Sequence, residues 1–262
     1  MQYTISFAGA GKVAGALCTE LYNKGHKIQL IVSRGEMDGQ SLAKKCHAQW
    51  SDELAFPITT EIIIVAVPDH SLKNVLDRIK CDKRTIVAHT AGSFGMEVFP
   101  QRLKHKGVFY PLQTFSKNRK TDFQGVPVFI ESSDKISERV LKSLAVSTGG
   151  LAYFSDIEHR RLLHVAAVFV SNFTNHMFTA GKEIAGKAGF SFEVLKPLIV
   201  ETVKKALETD PENSQTGPAV RYDINTIEKH LDLLSFSPEL KSVYGEMTRA
   251  ITQYYNKSTK DE

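Results

Sequence analysis

Three small residues near the start of the chain, Gly9, Gly11 and Ala14, stand at the spacing that lets a backbone close around a pyrophosphate. Gly9 permits a tight turn, Gly11 lets the main chain approach a phosphate, and Ala14 keeps the following helix close to a sheet. Ala10, Lys12 and Val13 complete the turn, where the N–H groups of an opening helix meet an anion. Ser33 and Arg34 follow a second strand-like run. About 20 residues beyond such a turn an acid often holds a ribose 2′-hydroxyl. A hydroxyl and a guanidinium in that place suit a 2′-phosphate instead, which a guanidinium pairs bidentately. The cofactor expected is NADP(H), with Glu36 as the residue that argues for NAD and a solvated loop as the plain alternative for Arg34.

A third group lies in the second half. Between residues 155 and 187 a long helix-like stretch is apolar on nearly every side, and His164, Ser171, Asn172 and Asn175 are its polar exceptions. At about 100° per residue, Ser171 and Asn175 fall within roughly 20° of His164, and Asn172 about 80° away. Such an edge could give hydrogen bonds or a proton to a substrate oxygen or nitrogen. It could equally satisfy itself against neighbouring helices.

The elements that must carry these groups alternate strand and helix over the first half. Strand-like runs occur at Thr4–Ala8, His26–Val32, Ile62–Val67, Thr85–Ala88, Gly107–Tyr110, Val126–Ile130 and Leu151–Phe154. Helices are expected after Gly11, from Gln40 to Cys46, after Ser71, and from about Lys135 to Ser147. The unbroken β-branched run at Ile62–Val67 fits a strand buried on both faces, as parallel sheets require. In open α/β sheets ligands bind beyond the carboxyl ends of the strands. Val67-Pro68-Asp69 and His89-Thr90 therefore become candidate walls of a nicotinamide site. Helix capping is the competing role for Asp69 and Ser71, and strand-end packing the competing role for His89.

From Ser155 onward the pattern is helical only. Ser155 or Asp156 would cap the long helix, which the all-round apolar pattern places in a domain centre or between subunits. A helix from Ser191 to about Glu208 contains Pro197, which implies a kink or break. A polar connector at Thr209–Gln215 follows, then a helix from about Asn225 to Leu234. A last helix opens with Ser237 as cap and Pro238 at its first position, and frays into a charged tail from Lys257 to Glu262. The fold class expected is α/β: a doubly wound, mostly parallel sheet in residues 1–154, then an all-helical domain in residues 155–262.

Composition excludes several classes. A net charge of +4 with scattered Lys and Arg gives no basis for nucleic-acid binding. No apolar run approaches the roughly 20 residues that span a bilayer. The first strand begins almost at Met1, leaving no room for a leader, so a cytoplasmic, soluble protein is expected. Cys18, Cys46 and Cys81 lack ligand spacing, so no metal site is expected and a reducing compartment is.

With these motifs placed, the chain resembles a family of bacterial NADP oxidoreductases that pair a Rossmann-like domain with a helical C-terminal domain of uncharacterised function. The resemblance rests on Gly9-Ala10-Gly11-Lys12-Val13-Ala14, Ala66-Val67-Pro68-Asp69, His89-Thr90-Ala91-Gly92, Pro111-Leu112-Gln113-Thr114-Phe115, the stretch from His164 to Phe173, and Thr216-Gly217-Pro218-Ala219-Val220-Arg221. More distantly it is similar to pyrroline-5-carboxylate reductases, deazaflavin-dependent NADP reductases and the 6-phosphogluconate dehydrogenase group. The resemblance implies NADP(H) binding and a homodimer built through the helical domain. Two positions depart from the family pattern: Tyr110 stands where His is usual, and Tyr222 where Gly is usual. The Lys placed four residues before an Asn in β-hydroxyacid dehydrogenases is missing, since Val168 precedes Asn172 and Ser171 precedes Asn175.

The function these residues support is hydride transfer between nicotinamide and a small carbonyl or imine substrate in an interdomain cleft. His164 would be donor or anchor, with Ser171 and Asn172 as orienting groups. Gln113 and Arg221 are possible contacts to an anionic substrate, an ion pair being the alternative for Arg221. An NADP-binding sensor or scaffold without turnover is the second reading, and an S-adenosylmethionine-binding use of the same domain a third.

Overall fold

Strands rich in β-branched residues and buried on both faces build the centre of the computed structural model, which describes residues 1–117 and 119–258. The strands are β1 (Thr4–Ala8), β2 (Lys27–Val32), β3 (Gln49–Ser51), β4 (Ile62–Val65), β5 (Ile86–His89), β6 (Lys106–Pro111), β7 (Pro127–Ser132) and β8 (Leu151–Phe154), in one sheet of order β3-β2-β1-β4-β5-β6-β7-β8. All neighbours pair in parallel except β6 with β7. Every residue of β4 and β5 is buried, which explains their continuous apolar runs: helices cover both faces. Strand order reverses between β1 and β4, so their carboxyl ends open a crevice. The short β3 was not expected from the sequence; with three residues and two faces only half-covered, it lacks a hydrophobic period.

The covering helices are α1 (Lys12–Asn23), α2 (Glu36–Lys45), α3 (Asp69–Arg78) and α4 (Lys135–Ser147), followed after β8 by α5 (Ile157–Ala167). One apolar cluster joins α1 and α4 to one sheet face through Leu17, Leu21, Leu141 and Leu144. A second joins α3 to the other face through Leu72 and Leu76. α2 begins at Glu36, four residues before the expected start, with Glu36 and Asp38 in its first turn, where negative charge suits the helix dipole. No helix among the described residues is long and apolar enough to cross a membrane.

The chain divides into two compact units, Met1–Asn172 and Phe173–Glu262. The first includes α5, which Arg160 fixes to it. The Arg160 side chain is fully buried and donates from Nη2 to the Phe94 carbonyl (2.7 Å) and from Nη1 to the Ser155 carbonyl (3.3 Å). Its Nη2 also lies 2.9 Å from Glu131 Oε2. That charge contact lacks good hydrogen-bond alignment, because Glu131 Oε2 and Arg160 Nε have no bonded partner. The long helix is not regular: α5 gives way to a π-type segment, Val168–Phe173. Nor is it buried in a domain centre, since Leu162 (72%), Phe169 (61%) and Val170 (75%) are exposed.

The second unit holds α6 (Thr174–Lys187), α7 (Lys196–Thr209), α8 (Pro211–Ser214), α9 (Ile224–Leu233) and α10 (Pro238–Ser258). The break expected at Pro197 is present: a 3-10 turn, Phe192–Leu195, gives way to α7, and Pro197 occupies the first turn of α7, where its missing N–H has no partner to lose. The connector expected at Thr209–Gln215 contains the short α8. Ser237 Oγ accepts from Leu240 N at 3.3 Å, as expected of a cap. Residues 259–262, the end of the expected fraying tail, lie outside the described residues. Tyr222 has φ 56°, the left-handed region that favours glycine, which accounts for the usual Gly there.

Replacing Arg160 by Met removes the anchor and leaves the Glu131 carboxylate without its counter-charge. Unfolding by urea should show a loss of about 3 kcal/mol. A loss below about 1 kcal/mol would show that the buried guanidinium is not what fixes α5.

Candidate functional site

The glycine turn sits where β1 runs into α1. Gly9 has φ 115° and passes so close to the end of β4 that a Cβ there would collide with the Ala66 carbonyl. Its own N–H donates to the Val32 carbonyl at 2.7 Å, so the turn is tied to both neighbouring strands. α1 opens with Gly11 as its N-cap, without a side-chain cap bond and without an acid in its first turn. Its first N–H groups are thus left for an external anion.

Beside this turn lies a cavity of about 570 Å³ lined by Gly9, Ala10, Gly11, Ser33, Arg34, Val67 and Pro68. These seven are the expected cofactor residues that the fold brings together. Lys12, Val13, Asp69, His89 and Thr90 are not among its lining residues. Ser33 Oγ already donates to the Gly35 carbonyl (3.0 Å) and accepts from Trp50 Nε1 (3.0 Å). Arg34 has no such engagement among the described hydrogen bonds and ion pairs. Glu36 does not line the cavity and accepts from Gln40 one turn along its own helix. The opposite wall comes from α3, where His70, Asn74 and Arg78 recur every four residues. These three carry no motif in the sequence beyond the four-residue spacing that marks one helix face. Asp38 also lines the cavity, and Lys117 holds its carboxylate at 2.9 Å.

At the strand ends the competing roles separate. Pro68 is the N-cap of α3, and neither Asp69 nor Ser71 caps it. The Asp69 carboxylate instead accepts from Ser93 Oγ. His89 is fully buried, stacks on Phe99 with ring centroids 5.2 Å apart, and accepts from Ala91 N at Nδ1 (3.2 Å). Its Nε2 faces the Gly95 carbonyl at 3.4 Å. Burial pushes its pKa down to about 4, against an ordinary 6.5. The strand-end packing role describes this geometry.

The substrate-side candidates fall differently. Tyr110, near the carboxyl end of β6, places its Oη 2.9 Å from Nδ1 of His164 on α5. The two rings meet edge to face at 5.9 Å. Gly92, in the loop after β5, packs so tightly on the pair that a Cβ there would lie 2.9 Å from Tyr110 Cζ and 3.0 Å from His164 Nδ1. Ser171 is half-buried and Asn172 exposed, and none of the described hydrogen bonds links either to His164. The helical wheel that grouped them assumed 3.6 residues per turn; the π-type segment breaks that period. Asn175 and Arg221 belong to the second unit, where Arg221 is exposed. Gln113 is exposed and its Oε1 accepts from Thr114 N.

Residues 4–92 match a family model described as NADP oxidoreductase coenzyme F420-dependent, and residues 126–251 match a domain of unknown function, DUF2520. The chain is similar to the crystal structure of a "putative NADP oxidoreductase" from Bacteroides fragilis. That protein is 39% identical, with a TM-score of 0.88, over 96% of this chain and 98% of that one. It is also similar in fold to an imine reductase from Pseudomonas sp. (15% identity, TM-score 0.66, 100% and 95% coverage). A pyrroline carboxylate reductase from Plasmodium falciparum, solved with NADP bound, gives 12% identity, TM-score 0.59, and 96% and 100% coverage. No protein of curated function matches the chain.

Because the folded pKa of His89 lies below its unfolded value, the unfolded chain takes up the proton first as pH falls. Stability should hold above about pH 6.5 and decline toward pH 4, by at most about 3 kcal/mol from this residue. Urea unfolding of the wild type and of His89→Gln across that range checks it: the variant should show a shallower decline. Burial lowers the pKa of His26 as well, so some slope remains in both proteins.

Proposed function

We propose that this chain, which belongs to the family of NADP oxidoreductases joining an F420-dependent-type N-terminal region to a DUF2520 region, transfers a hydride between NADP(H) and a small carbonyl or imine substrate. The observation that carries the reading is the glycine turn against β4 beside a cavity walled by Arg34. The residues present fit the cofactor: the uncapped start of α1 suits its pyrophosphate, and the free Arg34 guanidinium suits its 2′-phosphate. When bound, the nicotinamide supplies the hydride. Everything else falls to the chain: orienting the acceptor carbon and giving a proton to its oxygen or nitrogen. His164 serves as donor or anchor at the same edge of the sheet, with Ser171 and Asn172 as orienting groups and Gln113 and Arg221 as anion contacts.

Two measurements test this. Arg34→Ala should weaken NADPH binding about tenfold or more and leave NADH binding little changed, read by nucleotide fluorescence; equal effects would remove the 2′-phosphate role. Loss of NADPH absorbance across a panel of ketoacids and cyclic imines should reveal a substrate. Tight NADPH binding with no oxidation anywhere in the panel would favour the sensor reading.

The working form proposed is a homodimer through the helical part. In support, Ala219 and Leu234 are the only buried apolar residues described in the second unit. A unit of that size ordinarily buries well over half of its surface. In the first unit Leu162, Phe169 and Val170 are likewise exposed. A second copy would cover such surface. Sedimentation should give twice the 29.2 kDa chain mass, and Val170→Asp, harmless on a free surface, should yield monomer.

A further inference from the structure

We infer that Tyr110 is a positioning residue for the reaction, holding the Nδ1 side of His164 so that Nε2 is the nitrogen presented to the substrate. The inference rests on the oxidoreductase reading above. Three observations converge on it. Tyr110 Oη and His164 Nδ1 are at hydrogen-bond distance, 2.9 Å. Tyr110 lies two residues beyond Val108, the partner of His89 at the carboxyl end of β5, and so at the sheet edge that carries the glycine turn. Gly92 leaves no room for a side chain beside either ring. Gly92 is not among the residues with positive φ, so close approach, and not backbone conformation, is what glycine supplies there.

The hydroxyl suits the task because it can donate or accept. Burial raises the Tyr110 pKa, so the phenol stays protonated. With neutral His164 it donates to Nδ1, which puts the imidazole proton on Nε2. With the imidazolium, Nδ1–H donates to Oη, and Nε2 again carries a proton away from Tyr110. In both states the nitrogen that one hydrogen bond occupies fixes the role of the other. As the hydride reaches the acceptor carbon, the imidazolium gives its Nε2 proton to the substrate oxygen or nitrogen. It is left momentarily as the Nδ1–H tautomer, bonded to Oη, and water returns a proton to Nε2, restoring the imidazolium. No group has to turn during the transfer.

Nitrogen-15 NMR of the His164 side chain reads the tautomer directly, without a substrate. The wild type with His164 neutral should show Nε2 protonated and Nδ1 bare. Tyr110→Phe keeps the ring and loses the bond, so it should yield a mixture of tautomers. Gly92→Ala keeps both groups and forces them apart, and should do the same. With the best substrate of the ketoacid and imine panel, Tyr110→Phe should lower kcat about tenfold or more while NADPH affinity stays unchanged. A His164 tautomer identical in all three proteins would overturn the inference, as would an unchanged kcat in Tyr110→Phe. If the tautomer shifts as expected but nothing in the panel oxidises NADPH, the oxidoreductase reading fails while the hold on His164 stands.

Discussion

A single buried guanidinium does more to assemble the candidate site than any residue that could touch a substrate. Arg160 is enclosed by its own helix start, by the loop after β5 and by the end of β7. Taking such a charge out of water costs several kcal/mol, and only well-placed carbonyls and a counter-charge recover it. Those partners occur at one place along the sheet, so α5 has one position there. His164 lies four residues on, on the same face of that helix. Its approach to Tyr110 follows from the docking of Arg160.

The nucleotide side of the site depends on a different constraint, steric and not electrostatic. Parallel strands β1 and β4 leave no space between their ends for a side chain on the connecting turn, and the left-handed φ of Gly9 would strain any other residue. The strain-free turn then aims the uncapped end of α1 at the cavity. Polar groups there face a ligand because the backbone leaves them unpaired, while Arg34 and the α3 face supply side chains around them. Lys117 offsets the Asp38 carboxylate that would otherwise repel a phosphate at this wall.

How much of this was legible beforehand differs by the range of the forces involved. The glycine turn, the buried strands and the order of elements are local patterns, and each appears in the chain as a period or a spacing. The site residues depend on tertiary burial. His89 and Thr90 lie at the end of β5, the neighbour of the β4 strand whose end walls the cavity, yet burial turns His89 inward onto Phe99. Asp69 looked like a cap because caps are local, but its carboxylate met Ser93 from another loop. Ser171 and Asn172 were grouped with His164 by a regular helical period that the π-type segment breaks. Tyr110 and Tyr222 were visible only as departures from a family pattern. The structure gives each a physical reason: a hydrogen bond across to α5 for the first and a left-handed backbone for the second.

The break in the helix bears on the chemistry as well as on the prediction of it. α5 is held by Arg160 at its first turns, and regular α-helical bonding ends at Ala167, three residues past His164. A π-type turn admits an extra residue, so the phase that Arg160 imposes on His164 does not extend through residues 168–172. Those residues are therefore free to meet other demands, and Val170 at 75% exposure shows that they turn apolar groups outward. Leu162 and Val165 already face outward within the regular turns that hold His164, so the polar pair and the apolar surface share α5 itself. The changed period then carries that surface into residues 168–172 with a phase that Arg160 does not set.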